Sequence, residues 1–284
     1  MKSIRSPLAM TAWSQHMRRK GGVIGLVPTM GALHEGHRAL IRAARLQCDV
    51  VVVSIFVNPT QFAPTEDLAI YPRRITQDRA LCRAEGVDIC FEPTIMAMYP
   101  KGFQTVVTVP SLARRWEGES RPHHFDGVAT VVTKLFGIVR PDLALFGQKD
   151  YQQCAVIRQL VKDLNLDIRL VVRPTVRERD GLAMSSRNVF LSPEERRVAP
   201  MLYHALLAGR RAIEAGMTDP DSVDALMRKV LGGEPAIQID YLVLCDPDTL
   251  EPLTRIRQRA VILGAIRLGS VRLIDNLLVR LKSC

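Results

Sequence analysis

Residues 28–37 read PTMGALHEGH and set two imidazoles, His34 and His37, three apart where an apolar run ends and an amphipathic stretch begins. Positions i and i+3 on a first helical turn share a face. Metal binding is one chemistry for such a pair, but a zincin helix needs H-E-x-x-H. HEGH is one residue short, and no third ligand stands nearby in sequence. Structural packing is a second reading. The third is an anion site. A helix start offers unpaired N–H groups and the positive end of the macrodipole, and imidazole donors on that turn would add to the hold. Gly36 would let a ligand approach the backbone closely.

Three further polar loops fall at or near the ends of strand-like runs. Asn58, Pro59, Thr60, Gln61 and Phe62 come directly after DVVVVSIFV, and the two amides suit either a small polar substrate or the turn itself. Gly147, Gln148, Lys149 and Asp150 follow LALF. Lys149 is a compact cation suited to phosphate, and Asp150 stands where a helix N-cap is expected. Met184, Ser185, Ser186, Arg187 and Asn188 combine two hydroxyls with a guanidinium. Together the loops supply donors for negative oxygen and no nucleophile with a matched base. The phosphate loop GxxxxGK[ST] and a GxGxxG after a strand are both absent. A site so built works by electrostatic stabilisation and positioning.

The elements that must hold these loops alternate. Helical spacing predicts helices over 8–19, 38–46, 75–85, 128–139 and 151–163, with strands over 23–27, 49–57, 87–91, 143–146 and 168–172 between them. The run 49–57 is apolar on both faces, as a central parallel strand should be. This β-α-β order argues a parallel sheet covered by helices, with ligands beyond the carboxyl ends of the strands. After about residue 175 the pattern changes. Helices are predicted over 193–215 and 222–230 and strands over 237–244, 260–266 and 270–274, which suits a smaller α+β domain with an antiparallel sheet. The fold class expected is therefore α/β, a Rossmann-like parallel-sheet domain over 1–175 followed by a smaller domain over 176–284.

Composition narrows the class. The chain has 284 residues, 47% of them hydrophobic and 24% charged, which is ordinary for a globular protein. The formal net charge of +10 fits nucleic acid or a small polyanionic substrate. The basic residues are scattered, and no aromatic residues interleave with them as a stacking platform. None of the six cysteines makes a C-x-x-C pair, so buried free thiols are expected. The opening MKSIRSPLAMTAW lacks a long apolar core, and no run of 18 apolar residues exists. A cytoplasmic protein without a membrane span is expected.

In this order and spacing, PTMGALHEGH, SIFVNPTQF, EDLAIYPR, LFGQKDYQQ, DGLAMSSRN and the closing RAVILGAIRLGSVRLIDN resemble the pantothenate synthetase (pantoate–β-alanine ligase) family. The likeness runs through nearly the whole chain. The H-x-G-H and MSSR segments are also similar to the HIGH and KMSKS signatures of the wider nucleotidyltransferase superfamily. The resemblance implies a reaction. ATP and pantoate give pantoyl adenylate and pyrophosphate, and the amine of β-alanine then releases AMP and pantothenate. It also implies Mg2+ accompanying ATP, a C-terminal domain that closes over the site, and a homodimer. Small-molecule substrates are expected, with no nucleic acid and no membrane.

Carried over by residue, the resemblance implies that Met30, Gly31, Ala32, Leu33, His34, Glu35, Gly36 and His37 line the ATP site. His37 would hold the triphosphate, where the family treats it as a proton donor, and His34 would stabilise the same charge. Gln61 would bind pantoate and lie near the β-alanine site, and Gln153 would also bind pantoate. Gly147, Gln148, Lys149 and Asp150 would contact the nucleotide, with Lys149 on its phosphates. Val176 would touch the adenine, and Met184, Ser185, Ser186 and Arg187 would close on the phosphates. His37, His34, Lys149 and Arg187 are the catalytic candidates. Two positions depart from the family's pattern: Gln148 replaces a glutamate and His123 a glycine. The second raises the question of how a histidine meets a backbone that glycine serves. Two rival functions are an adenylyltransferase acting on a phosphate acceptor, which would want more Arg near Gln61 and Gln153, and a basic nucleic-acid module with a steep salt slope.

Overall fold

The computed structural model describes residues 1–63 and 68–281; Glu66, Asp67 and Cys284 lie outside them. The chain divides into two compact units, 1–147 with 152–174, and 148–151 with 175–284.

The first unit is a six-stranded sheet, parallel throughout, in the order β1-β4-β3-β2-β5-β6. Its strands are β1 (Lys2–Ile4), β2 (Ile24–Thr29), β3 (Val50–Ile55), β4 (Ile89–Phe91), β5 (Leu143–Gly147) and β6 (Arg169–Arg173). Between them run α1 (Pro7–Arg19), α2 (Glu35–Arg45), α3 (Ile75–Ala84), three single-turn helices α4 (Ile95–Met98), α5 (Pro110–Ala113) and α6 (Glu117–Ser120), then α7 (His124–Val139) and α8 (Tyr151–Asp163). The central strands are buried on both faces, as VVVVSI requires, and Val27, Val51, Val53 and Leu145 pack with Ile41 and Ala44 of α2. Fully burying side chains of this size contributes roughly 1.5–3 kcal/mol each.

The second unit contains α9 (Pro193–Val198), α10 (Met201–Glu214) and α11 (Pro220–Leu231), followed by an antiparallel meander β7 (Ile237–Cys245), β8 (Arg259–Leu268) and β9 (Val271–Arg280). Leu202, Leu206, Ile213 and Met227 of the helices share one core with Ile262, Ile266 and Leu273 of the sheet. The expected fold class therefore holds: a Rossmann-like parallel sheet and a smaller α+β part.

Several boundaries differ from expectation for physical reasons. The single helix expected over 193–215 is two, because Pro200 has no N–H to continue the first and sits at the N-cap of the second. α2 starts at Glu35 rather than 38, because His34 caps it. α7 starts at His124, four residues early. β1 was not expected, and β9 extends to Arg280 where 270–274 was expected. Among the described residues, no helix is long and apolar enough to cross a membrane.

His123 answers the question its type raised. It takes φ +65°, ψ −2° as the N-cap of α7, the left-handed region that glycine would occupy at no steric cost. Its imidazole is exposed and stands 3.5 Å from Asp126, an exchange too wet to repay much. A left-handed L-residue costs roughly 1–2 kcal/mol, and the extra freedom of glycine in the unfolded chain gives back about 0.4–1 kcal/mol. The strain is the larger, so His123→Gly is expected to raise stability by about 0.5–1 kcal/mol, read as a higher urea midpoint at unchanged slope. A lower midpoint would show that the ring contributes more than its wet approach to Asp126.

Candidate active site

The sheet order places a switch point. From β2 the chain proceeds outward to β3 and β4, then returns to β5 on the other side of β2. Ligands of open α/β sheets bind beyond the carboxyl ends of the strands where the order reverses. The loop after β2 is the PTMGALHEGH stretch, and the chain leaves β5 at Gly147.

In the first unit, the loop after β2 is held in an uncommon conformation. Gly31 (φ +86°) and Ala32 (φ +50°) are both left-handed, and a non-glycine there persists only when its surroundings impose it. Asp78 of α3 imposes it. Its carboxylate accepts the N–H of Ala32 at 3.0 Å and of Leu33 at 2.8 Å. Thr29 Oγ1 accepts the N–H of Gly31 at 3.2 Å and donates to the Ser54 carbonyl at 2.7 Å. Asp78 is only 3% exposed. Burial pushes its carboxyl above the usual carboxylate range, against the pull of the Leu33 and Ala32 amides and the Arg74 charge. A raised folded-state value means that its contribution to stability is full below the unfolded carboxyl value and is lost as pH rises through the folded one. The chain thus buries the Asp78 carboxyl at some cost, and what it gains is a fixed loop.

The two histidines open α2 by capping each other's backbone. His34 Nδ1 accepts the N–H of Gly36 at 3.1 Å, and His37 Nδ1 accepts the N–H of His34 at 3.2 Å. Their ring centroids are 4.2 Å apart. A backbone N–H can only donate, so Nδ1 of each ring is the acceptor and Nε2 carries the hydrogen of the neutral ring. The packing reading thus describes Nδ1 of each ring. A side chain at Gly36 would meet the His34 ring at 2.9 Å, so this glycine first makes room for the imidazole.

Gln61 lies in a short 3-10 turn, Pro59–Gln61, capped by Asn58. It is buried, and its amide nitrogen donates to Met30 Sδ at 3.2 Å, which joins the second loop to the first. Asn58 Nδ2 donates to Gln61 Oε1 and to the Gly127 carbonyl, both at 3.1 Å, and Tyr99 OH donates to Asn58 Oδ1 at 2.8 Å. From α7, His124 Nδ1 meets the Gln61 carbonyl at 2.8 Å, and Arg121 donates to the same oxygen at 3.3 Å. Gln153 is half-buried on the first turn of α8, beside Gln152, whose amide bonds Leu112 and Arg115 carbonyls at 2.7 Å.

In the second unit, Gln148, Lys149 and Asp150 precede α8, with Lys149 Nζ 3.7 Å from Asp150 and one-fifth exposed. Val176 and Met184 bond across a hairpin, the Met184 N–H donating to the Val176 carbonyl at 3.0 Å. Ser185 caps the turn Ser186–Phe190 by accepting the Arg187 N–H at 3.3 Å. Sequence reasoning found the first of these loops by its polarity after an apolar run and the second by its hydroxyl and guanidinium composition. It missed Asp78, Tyr99, Arg121 and His124 as supports, because each reads alone as an ordinary surface or helix residue.

The Pantoate-beta-alanine ligase family model matches residues 2–278. A pantothenate synthetase of Syntrophotalea carbinolica is 55% identical over 91% of this chain and 92% of its own length. One of Heliobacterium modesticaldum is 51% identical over 98% and 99%. Among solved structures, the pantothenate synthetase of Thermus thermophilus superposes with a TM-score of 0.92 at 46% identity, covering 98% of this chain and 99% of that one. The pantoate–β-alanine ligase of Francisella tularensis, solved with β-γ ATP and β-alanine, gives 0.81 at 35% identity over 98% and 97%. Matched from residue 2 to residue 278 and about half identical to relatives over nearly their whole length, the chain belongs to the pantoate–β-alanine ligase family.

Proposed function

We propose that the residues above divide the family's reaction, the ATP-dependent condensation of pantoate with β-alanine, into binding and charge stabilisation. Attack of the pantoate carboxylate on the α-phosphate builds charge on the phosphoryl oxygens and on the departing pyrophosphate. Met30–His37, the N-terminus of α2 and Gly147 receive the nucleotide, with Val176 against the adenine. The Nε2–H donors of His34 and His37, the Lys149 ammonium, and Ser185, Ser186 and Arg187 bear on the phosphates. Gln61 and Gln153 take the hydroxyls and carboxylate of pantoate, and Gln61 stands near the amine of β-alanine. Residues 1–175 then act as the ATP- and pantoate-binding domain, and 176–284 supply the phosphate-facing turn. The amine attacks the acyl adenylate to give pantothenate and AMP.

The observation that carries this reading is the use of Nδ1 in both histidines. If His37 were the proton donor, its imidazolium would set an Nδ1–H against the His34 N–H, donor facing donor. Charge stabilisation through Nε2–H keeps the cap intact. Mg2+ enters with the nucleotide in this reading. It keeps waters and substrate phosphates in preference to an all-protein cage, and no trio of His, Cys, Asp or Glu gathers among the described residues. Asp150, half-exposed beside Lys149, is the carboxylate that would help hold it. When bound, the ion neutralises phosphate charge. A cytoplasmic homodimer completes the reading, and the five described cysteines, all buried and none in a disulfide, suit a reducing compartment.

Pyrophosphate release should depend on pantoate, and an amide product should form only when β-alanine is added. Release with pantoate freely replaced by other hydroxy acids would overturn the substrate assignment. AMP retained in the product would favour an adenylyltransferase.

A further inference from the structure

Adjacent residues of β9, Asp275 and Asn276, point to opposite faces of the small sheet, and both are buried, at 5% and 1% exposure. Asn276 uses its whole carboxamide on the loop that carries Lys149. Its Nδ2 donates to the Gln148 carbonyl at 2.8 Å and to the Lys149 carbonyl at 2.9 Å, and its Oδ1 accepts Gln148 Nε2 at 3.2 Å. Asp275 holds the other cationic loop through Arg177. The pair is bidentate, at 2.5 and 2.9 Å, with the carboxylate 3% and the guanidinium 16% exposed. The same guanidinium donates to the Gly181 carbonyl at 3.1 Å and lies 4.0 Å over the Tyr203 ring. Arg177 and Ala183 form the bridge of the hairpin that runs into Ser185, Ser186 and Arg187. Asn188 Nδ2, just beyond, returns to the Ala183 carbonyl at 3.1 Å.

We propose that Asp275–Asn276 is a positioning element for adenylate formation. One dipeptide in a regular strand fixes the backbone of the Lys149 loop on one side and the base of the Ser185–Arg187 turn on the other. Neither residue meets substrate. They set the distance between the two sources of positive charge, so that both are in place before ATP arrives. The Gln148 side chain belongs to the same clamp, which gives the family departure at this position a function: its amide donates to Asn276 Oδ1, where a carboxylate has no hydrogen to give. Displacing a charge-bearing group by about 1 Å can cost on the order of 10²-fold in rate. Asn276 is therefore expected to matter for the first half-reaction, which needs Lys149 on the phosphates, and much less for amide formation from a supplied acyl adenylate.

The proposal rests on Lys149 acting in adenylate formation, and the two can fail separately. Asn276→Ala should slow pantoate-dependent pyrophosphate release by about 10–10²-fold. Amide formation from added pantoyl adenylate and β-alanine should stay within about threefold. The isosteric N276D, which turns a carboxylate on two carbonyls, should be no faster than N276A. In a Lys149→Ala background, N276A should add less than about twofold, since residues acting through one group are not additive. N276A within threefold of wild type on pyrophosphate release, or a full multiplicative loss in the double variant, would overturn the clamp. If N276A melts below the assay temperature, Gln148→Ala removes one of the clamp's bonds from a half-buried loop and must show the same half-reaction selectivity; equal losses in both halves would overturn it. Normal pyrophosphate release by Lys149→Ala alone would instead remove the reading on which the clamp depends.

Discussion

Alanine at Lys149 or at His37 should slow pantoyl-adenylate formation by about 10²–10³-fold, the usual loss when one donor to a developing oxyanion is removed, equivalent to roughly 2.7–4 kcal/mol of transition-state stabilisation. The two variants differ in what else they lose. Lys149 contributes a charge near the half-exposed Asp150, and its removal should leave the melting temperature nearly unchanged. His37 also caps the backbone of His34, and losing a helix cap costs about 1 kcal/mol. His37→Ala should therefore melt a few degrees lower while remaining folded at 25 °C. Single-turnover pyrophosphate release with a parallel thermal melt separates the outcomes. Unfolding without a rate loss in the folded fraction would return His37 to a purely structural part.

The second large effect should come from a methyl group. Gly127 lies in α7 against the turn that bears Gln61. A Cβ added there would stand 2.5 Å from the Thr60 carbonyl oxygen and 2.7 Å from the Gln61 backbone nitrogen. Both are main-chain atoms and cannot swing away. Alanine would gain about 1 kcal/mol of helix propensity, whereas overpacking of this kind costs about 1–3 kcal/mol. The clash is the larger. It would push away the turn and weaken the Asn58 bond to the Gly127 carbonyl. Gly127→Ala should be modestly destabilised and should raise KM for pantoate by about 10-fold or more, with KM for ATP less affected. An unchanged pantoate KM would show that Gln61 does not hold that substrate.

The comparison of sequence with structure divides by range. β3 was legible because VVVVSI is apolar on both faces, three of the polar loops because each follows an apolar run, and the Met184–Asn188 loop because two hydroxyls and a guanidinium fall together beyond the last parallel strand. The family's motifs then gave those loops a common reaction. What escaped depends on contacts distant in sequence. Asp78 looks like one more charge on an amphipathic helix until Ala32 and Leu33 are seen to donate to it across 45 residues or more. Asn276 looks like the polar member of an alternating strand until its partners, Gln148 and Lys149, are found well over 100 residues away. β1 was missed because three residues carry too little period to read, and the break at Pro200 because the apolar spacing of helix continues past it. His123 shows the limit of a residue rule: the backbone keeps its left-handed turn and absorbs the strain.

The reciprocal cap of His34 and His37 has a consequence for substitution. In the proposed reading each ring does two jobs with two atoms on one rigid plane: an Nδ1 acceptor that starts a helix, and an Nε2 hydrogen for the nucleotide's phosphates. Asparagine can imitate the near atom and glutamine the far one, but no other side chain carries both at once. The stretch therefore cannot be altered by half-measures. Under the proposed function, any single replacement trades the start of α2 against a donor to the nucleotide, so that folding and chemistry would share the same imidazole rings.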